Sequence, residues 1–289
     1  MWFKKQCFSA AELDRFRAFQ RLSFSILTDE ARRLAAGMTE REAARRLVKA
    51  YRREGVKSFF HLPVVLFGER TALPGEWSLG QFFPKKRAAA PGDAVIFDAS
   101  PIFDSYMVDT SFSFCLGENA LHREMMSNLA ELREAVPAAV NAGETFKAIA
   151  EQVNDRFATW GYEPVHGKHP GNVLGHRALR LPRLPFVWRR NGFDALSLNW
   201  FYASEFVARQ GWSARSPLWN ASPTSDHAPH DGLWLVEPHA GRDGVGAKWE
   251  DILVIDGGRA RWLDDDVPHV QQWSLAAQAR DYGPAMLST

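Results

Sequence analysis

The chain has only two cysteines, Cys7 and Cys115, in 289 residues, which excludes both a disulfide framework and a thiolate metal site. No apolar run is long enough to cross a bilayer, and Met1 to Gln6 leads into polar helical sequence without an uninterrupted apolar signal region. A charge of one sign is also missing. The 35 Lys and Arg residues against 34 Asp and Glu leave a formal net charge of +1, so nothing points to nucleic acid or a membrane as partner. A soluble cytoplasmic protein is expected. The hydrophobic fraction of 46% supports a substantial core, and no linker divides the chain into independent domains.

The local signals are mostly helical at first. Ser9-Ala10-Ala11-Glu12 and Thr39-Glu40-Arg41-Glu42 are capping boxes. They predict one helix running to about Ala36 and another to about Glu54, ended by Gly55. Pro63 to Phe67, Ala94 to Ala99 and Ser111 to Leu116 read as strands, and Leu121 to Asn141 as a helix that Pro137 could kink. An internal repeat follows. Gly37, Thr39, Ala44, Leu47, Tyr51 and Gly55 recur at the same offsets as Gly143, Thr145, Ala150, Val153, Phe157 and Gly161. The repeat predicts a duplicated helix-helix-strand unit. Residues 177 to 229, rich in Arg, Trp and Pro, break the pattern. Strands return at Leu233 to Pro238, Asp251 to Ile255 and Ala260 to Leu263, the last two joined by the turn Asp256-Gly257-Gly258. The tail after Asp264 is expected to be a surface extension with a short helix near Ser274 to Arg280.

Four carboxylates stand in apolar, strand-like surroundings: Asp98, Asp109, Glu237 and Glu250. A single such residue is most often a solvated turn residue. Four of them would be costly to bury unless paired or bound to metal. Asp98 and Asp109 flank one predicted hairpin, Glu237 and Glu250 another. Two hairpins bringing two carboxylates each would make an oxygen-rich site for two divalent ions. With one imidazole added, that donor set suits Mn, Co, Fe or Zn.

The segments Pro91 to Asp98, Tyr106 to Phe114, Glu237-Pro238 and Trp249-Glu250-Asp251 resemble the aspartate and glutamate motifs of the pita-bread metallohydrolases, which include methionine aminopeptidase, prolidase, aminopeptidase P and creatinase. The resemblance covers roughly residues 9 to 263, without the N-terminal domain of the larger members. It implies an α+β pita-bread fold with pseudo-twofold symmetry around a curved antiparallel sheet. The chain would then be one domain over 1–289, with an insertion at about 177–229 and an extension after about 264. It further implies that Asp98 holds one ion, Asp109 and Glu250 bridge both, and Glu237 binds the other together with a histidine. Gly175-His176-Arg177 resembles the family's Gly-His segment, which assigns His176 as ligand. His169, seven residues earlier, is the alternative ligand, with His176 then the substrate contact.

The resemblance also implies a chemistry. Two ions would activate a water and polarise a carbonyl, while Glu237 relays the proton and an imidazole such as His176 stabilises the oxyanion. Two of the family's histidines are missing. Gly75 stands where one is expected, and Arg183 stands seven residues after His176. His61 is the nearby substitute, and His169, His61 and Arg183 are the candidate substrate contacts. The Arg and Trp residues of 177–229 could bind an anionic or aromatic substrate, or pack as a surface insertion or homodimer contact. Expected partners are a small peptide or small-molecule substrate, and a second copy of the chain. A hydrolase of amide or peptide bonds is the first reading and a creatinase-like hydrolase of a small metabolite the second. A catalytically inactive binding module on the same scaffold ranks last.

Overall fold

A computed structural model describes residues 7–76, 78–181, 192–212 and 216–282. The two capping boxes form as predicted. Ser9 and Thr39 each accept a hydrogen bond from the backbone N–H three residues on, and Glu12 and Glu42 accept in return. They start α1 (Ala10–Arg32) and α2 (Glu40–Arg53). α1 ends before the expected Ala36, because Arg33 already acts as its C-cap. The first half continues with β1 (Ser58–Phe59), β2 (Val64–Phe67), β3 (Ala94–Ala99), β4 (Pro101–Phe103), β5 (Tyr106–Met107) and β6 (Thr110–Cys115).

The second half repeats this order. α3 (Ala120–Asn141) continues past Pro137, followed by α4 (Phe146–Thr159), β7 (Glu163–Pro164) and β8 (Gly175–Arg177). After β9 (Gly192–Phe193), α5 (Ala195–Arg209) and β10 (Leu218–Trp219) come β11 (Gly232–Val236), β12 (His239–Arg242), β13 (Val245–Lys248) and β14 (Asp251–Asp256). In each half a central antiparallel pair, β3 with β6 or β11 with β14, encloses a smaller hairpin, β4/β5 or β12/β13. In each half the short strand after the helix pair joins that smaller hairpin: β1 pairs with β4, and β7 with β12. The predicted repeat is therefore a repeat of structure. Thr39 and Thr145 both cap helices. Leu47, Tyr51, Val153 and Phe157 are all buried.

Packing alternates along the strands as period-two geometry requires. On β11, Leu233 and Leu235 face a cluster built from α1, α2 and the first half, whereas Trp234 and Val236 face the α3/α4 cluster. On β14, Ile252 and Val254 face the first cluster, Leu253 and Ile255 the second. Extending the alternation by one step puts Glu237 and Glu250 on the face that looks toward the first half. Gly175 lets β8 lie tight against β11, since a Cβ there would collide with the Leu235 carbonyl. The neighbouring His176 then pairs in register with Leu235.

Two expectations change. The 177–229 stretch does not only pack on itself: its strand β10 extends the second sheet by pairing Leu218 with His176. The tail is not merely a surface extension. After β15 (Arg259–Trp262), α6 (Pro268–Tyr282) begins well before Ser274. His269 is buried and stacks on Trp249, with ring centroids 5.5 Å apart. Among the described residues no helix is long and apolar enough to cross a membrane.

Asp251 ties helices to sheet. It is fully buried, accepts from Arg133 of α3 at 3.0 Å and from Gln20 of α1 at 2.9 Å, and lies 3.5 Å from His269 of α6. Removing one partner of a buried ion pair strands the other charge. Arg133→Met is expected to lose about 3–5 kcal/mol of stability in urea unfolding, with part of it regained in Arg133→Met/Asp251→Asn.

Candidate metal centre

The hairpin ladders deliver the four carboxylates. β3 and β6 pair Asp98 with Ser111, so Asp109, just before β6, sits diagonally from Asp98 and not directly opposite. β11 and β14 end on the pair Val236 and Asp251, and Glu237 and Glu250 take the next facing position. A bridge between Ser111 and Glu250 joins the two hairpins. Asp109 and Glu250 are each 1% exposed, Glu237 5% and Asp98 7%.

Sequence reasoning did not include Lys248. Its side chain is buried in the middle of the carboxylates, with Nζ 2.5 Å from Asp98 Oδ2, 2.8 Å from Glu237 Oε2 and 3.3 Å from Glu250 Oε2. A signal was present. Lys248 and Glu250 are two apart in an extended run and share a face, while Trp249 between them points into the α3/α4 cluster. Burial opposes the charged ammonium, yet Asp98, Glu237 and Glu250 hold it charged well above its ordinary range. In return Lys248, with His169, holds Glu237 ionised against the cost of burial.

One ammonium does not satisfy the cage. Asp98 Oδ1, Asp109 Oδ1 and both oxygens of Glu250 are buried without a hydrogen-bond partner. Burial and the adjacent Asp109 push Glu250 well above the ordinary carboxyl range. Buried acceptors without donors are what a metal ion satisfies. Three donor groups lie close enough for one: His61 with Asp98 and Asp109, Asp109 with His176 and Glu250, and Asp98 with Glu237 and Glu250, the atoms of each within 4.8 Å of one another. Lys248 touches every carboxylate of the last group, but only Asp98 of the first and only Glu250 of the second. The residues present therefore fit divalent ions.

Three imidazoles surround the carboxylates. His61 reaches them: Nε2 is 3.2 Å from Asp109 Oδ2 and 3.5 Å from Asp98 Oδ1, while Nδ1 faces the Leu62 carbonyl at 3.0 Å. Burial opposes its charged form, but Asp109 and then Asp98 push it up to about 10. His176 is similarly oriented, with Nδ1 3.3 Å from the Arg177 carbonyl and Nε2 3.6 Å from Asp109 Oδ2 and 4.0 Å from Glu237 Oε1. His169 Nδ1 lies 2.9 Å from Glu237 Oε2. Its tautomer follows from its partners. His239 Nε2 donates to the Thr71 carbonyl at 2.7 Å, so His239 Nδ1 accepts from His169 Nε2–H at 3.0 Å. His169 Nδ1 is then left either to carry a second proton toward Glu237 or to offer its lone pair to a cation. His239 is two residues after Glu237 and was also missing from the sequence reading.

Asp98, Asp109, Glu237, His169, His176 and His61 all line a cavity of about 850 Å³. Gly75 lies exposed outside it, so His61 is the histidine that the first half contributes. Arg183, with Trp188, Arg189 and Arg190, lies outside the described residues. Arg177 and Arg180 face elsewhere. Arg177 is buried over the Trp234 ring and donates to the Asp231 carbonyl, and Arg180 covers Tyr106 and pairs with Glu12.

Residues 14–256 match the model of metallopeptidase family M24, and the chain belongs to that family. Its fold is the α+β pita-bread fold of solved M24 proteins. It superposes on an X-Pro aminopeptidase from Thermotoga maritima with a TM-score of 0.65 at 20% identity, covering 91% of this chain and 63% of that one. The Xaa-Pro dipeptidase from Bacillus anthracis gives 0.63 at 17%, covering 91% and 62%. The prolidase from Pyrococcus furiosus gives 0.62 at 17%, covering 89% and 65%. The chain thus spans less than two thirds of the length of these relatives. No curated protein matches it.

The internal ammonium yields a test that needs no substrate. Lys248→Met removes the cation from among three carboxylates. In chelator it is expected to lose about 3–5 kcal/mol relative to wild type. Added Mn should recover most of that loss, widening the gap in melting temperature between chelated and loaded protein. An unchanged gap would show that Lys248 does not neutralise the cage.

Proposed function

We propose that the chain is a divalent-metal-dependent hydrolase of amide or peptide bonds, of the aminopeptidase or Xaa-Pro peptidase type. The observation that carries this reading is the set of carboxylate oxygens of Asp98, Asp109 and Glu250 without hydrogen-bond partners, the first two residues on the wall of a large cavity, in a chain of family M24. Asp98, Asp109, His176, Glu237 and Glu250 would hold two ions, drawn from Mn, Co, Fe or Zn. Such ions supply Lewis acidity and a nucleophile available at neutral pH.

The residues around them divide the remaining work. Glu237, kept ionised by Lys248 and His169, accepts the proton released at the nucleophile. His61 faces the cavity and donates to the oxygen on which charge develops or to the departing nitrogen. His169, anchored through His239 to the Thr71 carbonyl, fixes the Glu237 side chain. The likeness to an X-Pro aminopeptidase and an Xaa-Pro dipeptidase supports a peptide substrate. A creatinase-like action on a non-peptide amide is the second reading, favoured by Gly75 in place of an expected histidine and by His61 entering from a different segment.

Bound metal measured by elemental analysis, then hydrolysis of a dipeptide library with Mn or Co added, tests the reading; no metal uptake under any condition refutes it. Asp109→Ala and Glu250→Ala are expected to take the protein from two bound ions to none and to abolish turnover. Unchanged stoichiometry in either variant would refute the bridging roles.

A further inference from the structure

The cavity beside the carboxylates has two features that the hydrolytic reading does not use. Its walls are apolar, with Phe60, Leu62, Phe82, Val173 and Phe201 among them. Some of its lining is both apolar and exposed: Leu79 at 54%, Phe83 at 47% and Tyr202 at 57%. Exposed apolar residues gathered at one mouth mark a binding surface more than a solvated rim.

The second feature is on α2. Ala44 and Val48 line the cavity, and so do Arg41, Arg45, Lys49 and Arg52. Spacings of four, four and three place the four cations on one helical face, along about 16 Å of helix axis at 1.5 Å per residue. None has an ion-pair partner among the described residues. Arg41 donates to the Pro84 carbonyl and Arg45 to the Arg41 carbonyl. The acidic residues at the start of α2 are engaged elsewhere: Glu40 is buried against Arg70, and Glu42 closes the capping box on Thr39. Like charges at this spacing cost the helix a few tenths of a kcal/mol per pair, offset only in part by Glu42 near Arg45 and by the helix C-terminus near Arg52.

We infer that the substrate is an amphiphilic amide: an apolar acyl or aromatic body that fills the cavity, with a carboxylate or phosphate, remote from the scissile bond, that meets the cation row of α2. This rests on the hydrolytic reading above. Once two divalent ions are bound, they and Lys248 outweigh the four carboxylates, so the loaded site does not repel an anion. The apolar body accounts for the walls and the remote anion for the row. A short, neutral amide would use neither.

The test is calorimetric binding to the full chain loaded with Mn, with 10-acetamidodecanoic acid as probe, its primary carboxamide as neutral isostere and N-acetylglycine as the short anion. The 10-acetamidodecanoate is expected to bind at least about tenfold tighter than either control. The advantage over the carboxamide should shrink at high salt and vanish in Arg45→Gln/Lys49→Gln, whose metal content stays that of wild type. Equal binding of acid and carboxamide, a preference that survives in the double variant, or no binding of any probe would each overturn the proposal. So would charge-dependent cosedimentation with vesicles of phosphatidylcholine and phosphatidylserine without binding of the free probe, which would identify the row as a membrane-docking face. Metal content measured on the same samples separates the two readings. Absence of bound metal removes the hydrolase, whereas loss of the anion preference in a metal-loaded chain removes only the substrate class.

Discussion

Mutual repulsion of carboxylates is the constraint around which this molecule is built. Two like charges about 4 Å apart cost roughly 4 kcal/mol at the effective dielectric of a partly shielded site, and here four carboxylates are gathered with little water. Nothing local would bring them together. Two antiparallel ladders hold the backbone in place, and the Ser111–Glu250 bridge locks one ladder to the other. Lys248 offsets part of the repulsion from inside. The remainder persists as oxygens without hydrogen-bond partners and as the upward push on the Glu250 carboxyl.

The segment from Lys248 to Asp251 shows how closely site and core are wired together. Lys248 and Glu250 point into the carboxylate cluster, Trp249 packs against Trp262 and His269, and Asp251 anchors α1 and α3. Four consecutive residues thus divide by parity between chemistry and packing. A slip of one residue in β14 would exchange the two roles completely, which is why its register is pinned by pairing on both edges.

Much of this was legible in the sequence because it is local. Capping boxes announce helix starts through residues three apart, and the repeat announced itself through glycines and threonines at equal offsets. The four carboxylates stood out because they interrupt apolar strands. What was not legible depends on distant partners. His61 has no nearby sequence feature that says it reaches Asp98 and Asp109. That depends on how β2 lies against β3. Lys248 sits in a run whose tryptophan draws attention to packing, and its role appears only once Asp98, 150 residues away, is beside it. The early start of α6 escaped notice because His269 and Trp273 acquire a reason to be helical only against Trp249. The places of Arg177 and Arg180 were left open for the same reason, since their aromatic partners Trp234 and Tyr106 come from elsewhere in the chain.

The duplication has a consequence for how the centre is completed. Asp98 and Asp109 belong wholly to the first half, Glu237 and Glu250 wholly to the second, and β6 meets the second hairpin through Ser111 and Glu250. One donor group, His61 with Asp98 and Asp109, lies within the first half, whereas the other two draw on both halves. An ion held by either of those two would act as a clasp across that seam, so the complete centre exists only where both hairpins are in register.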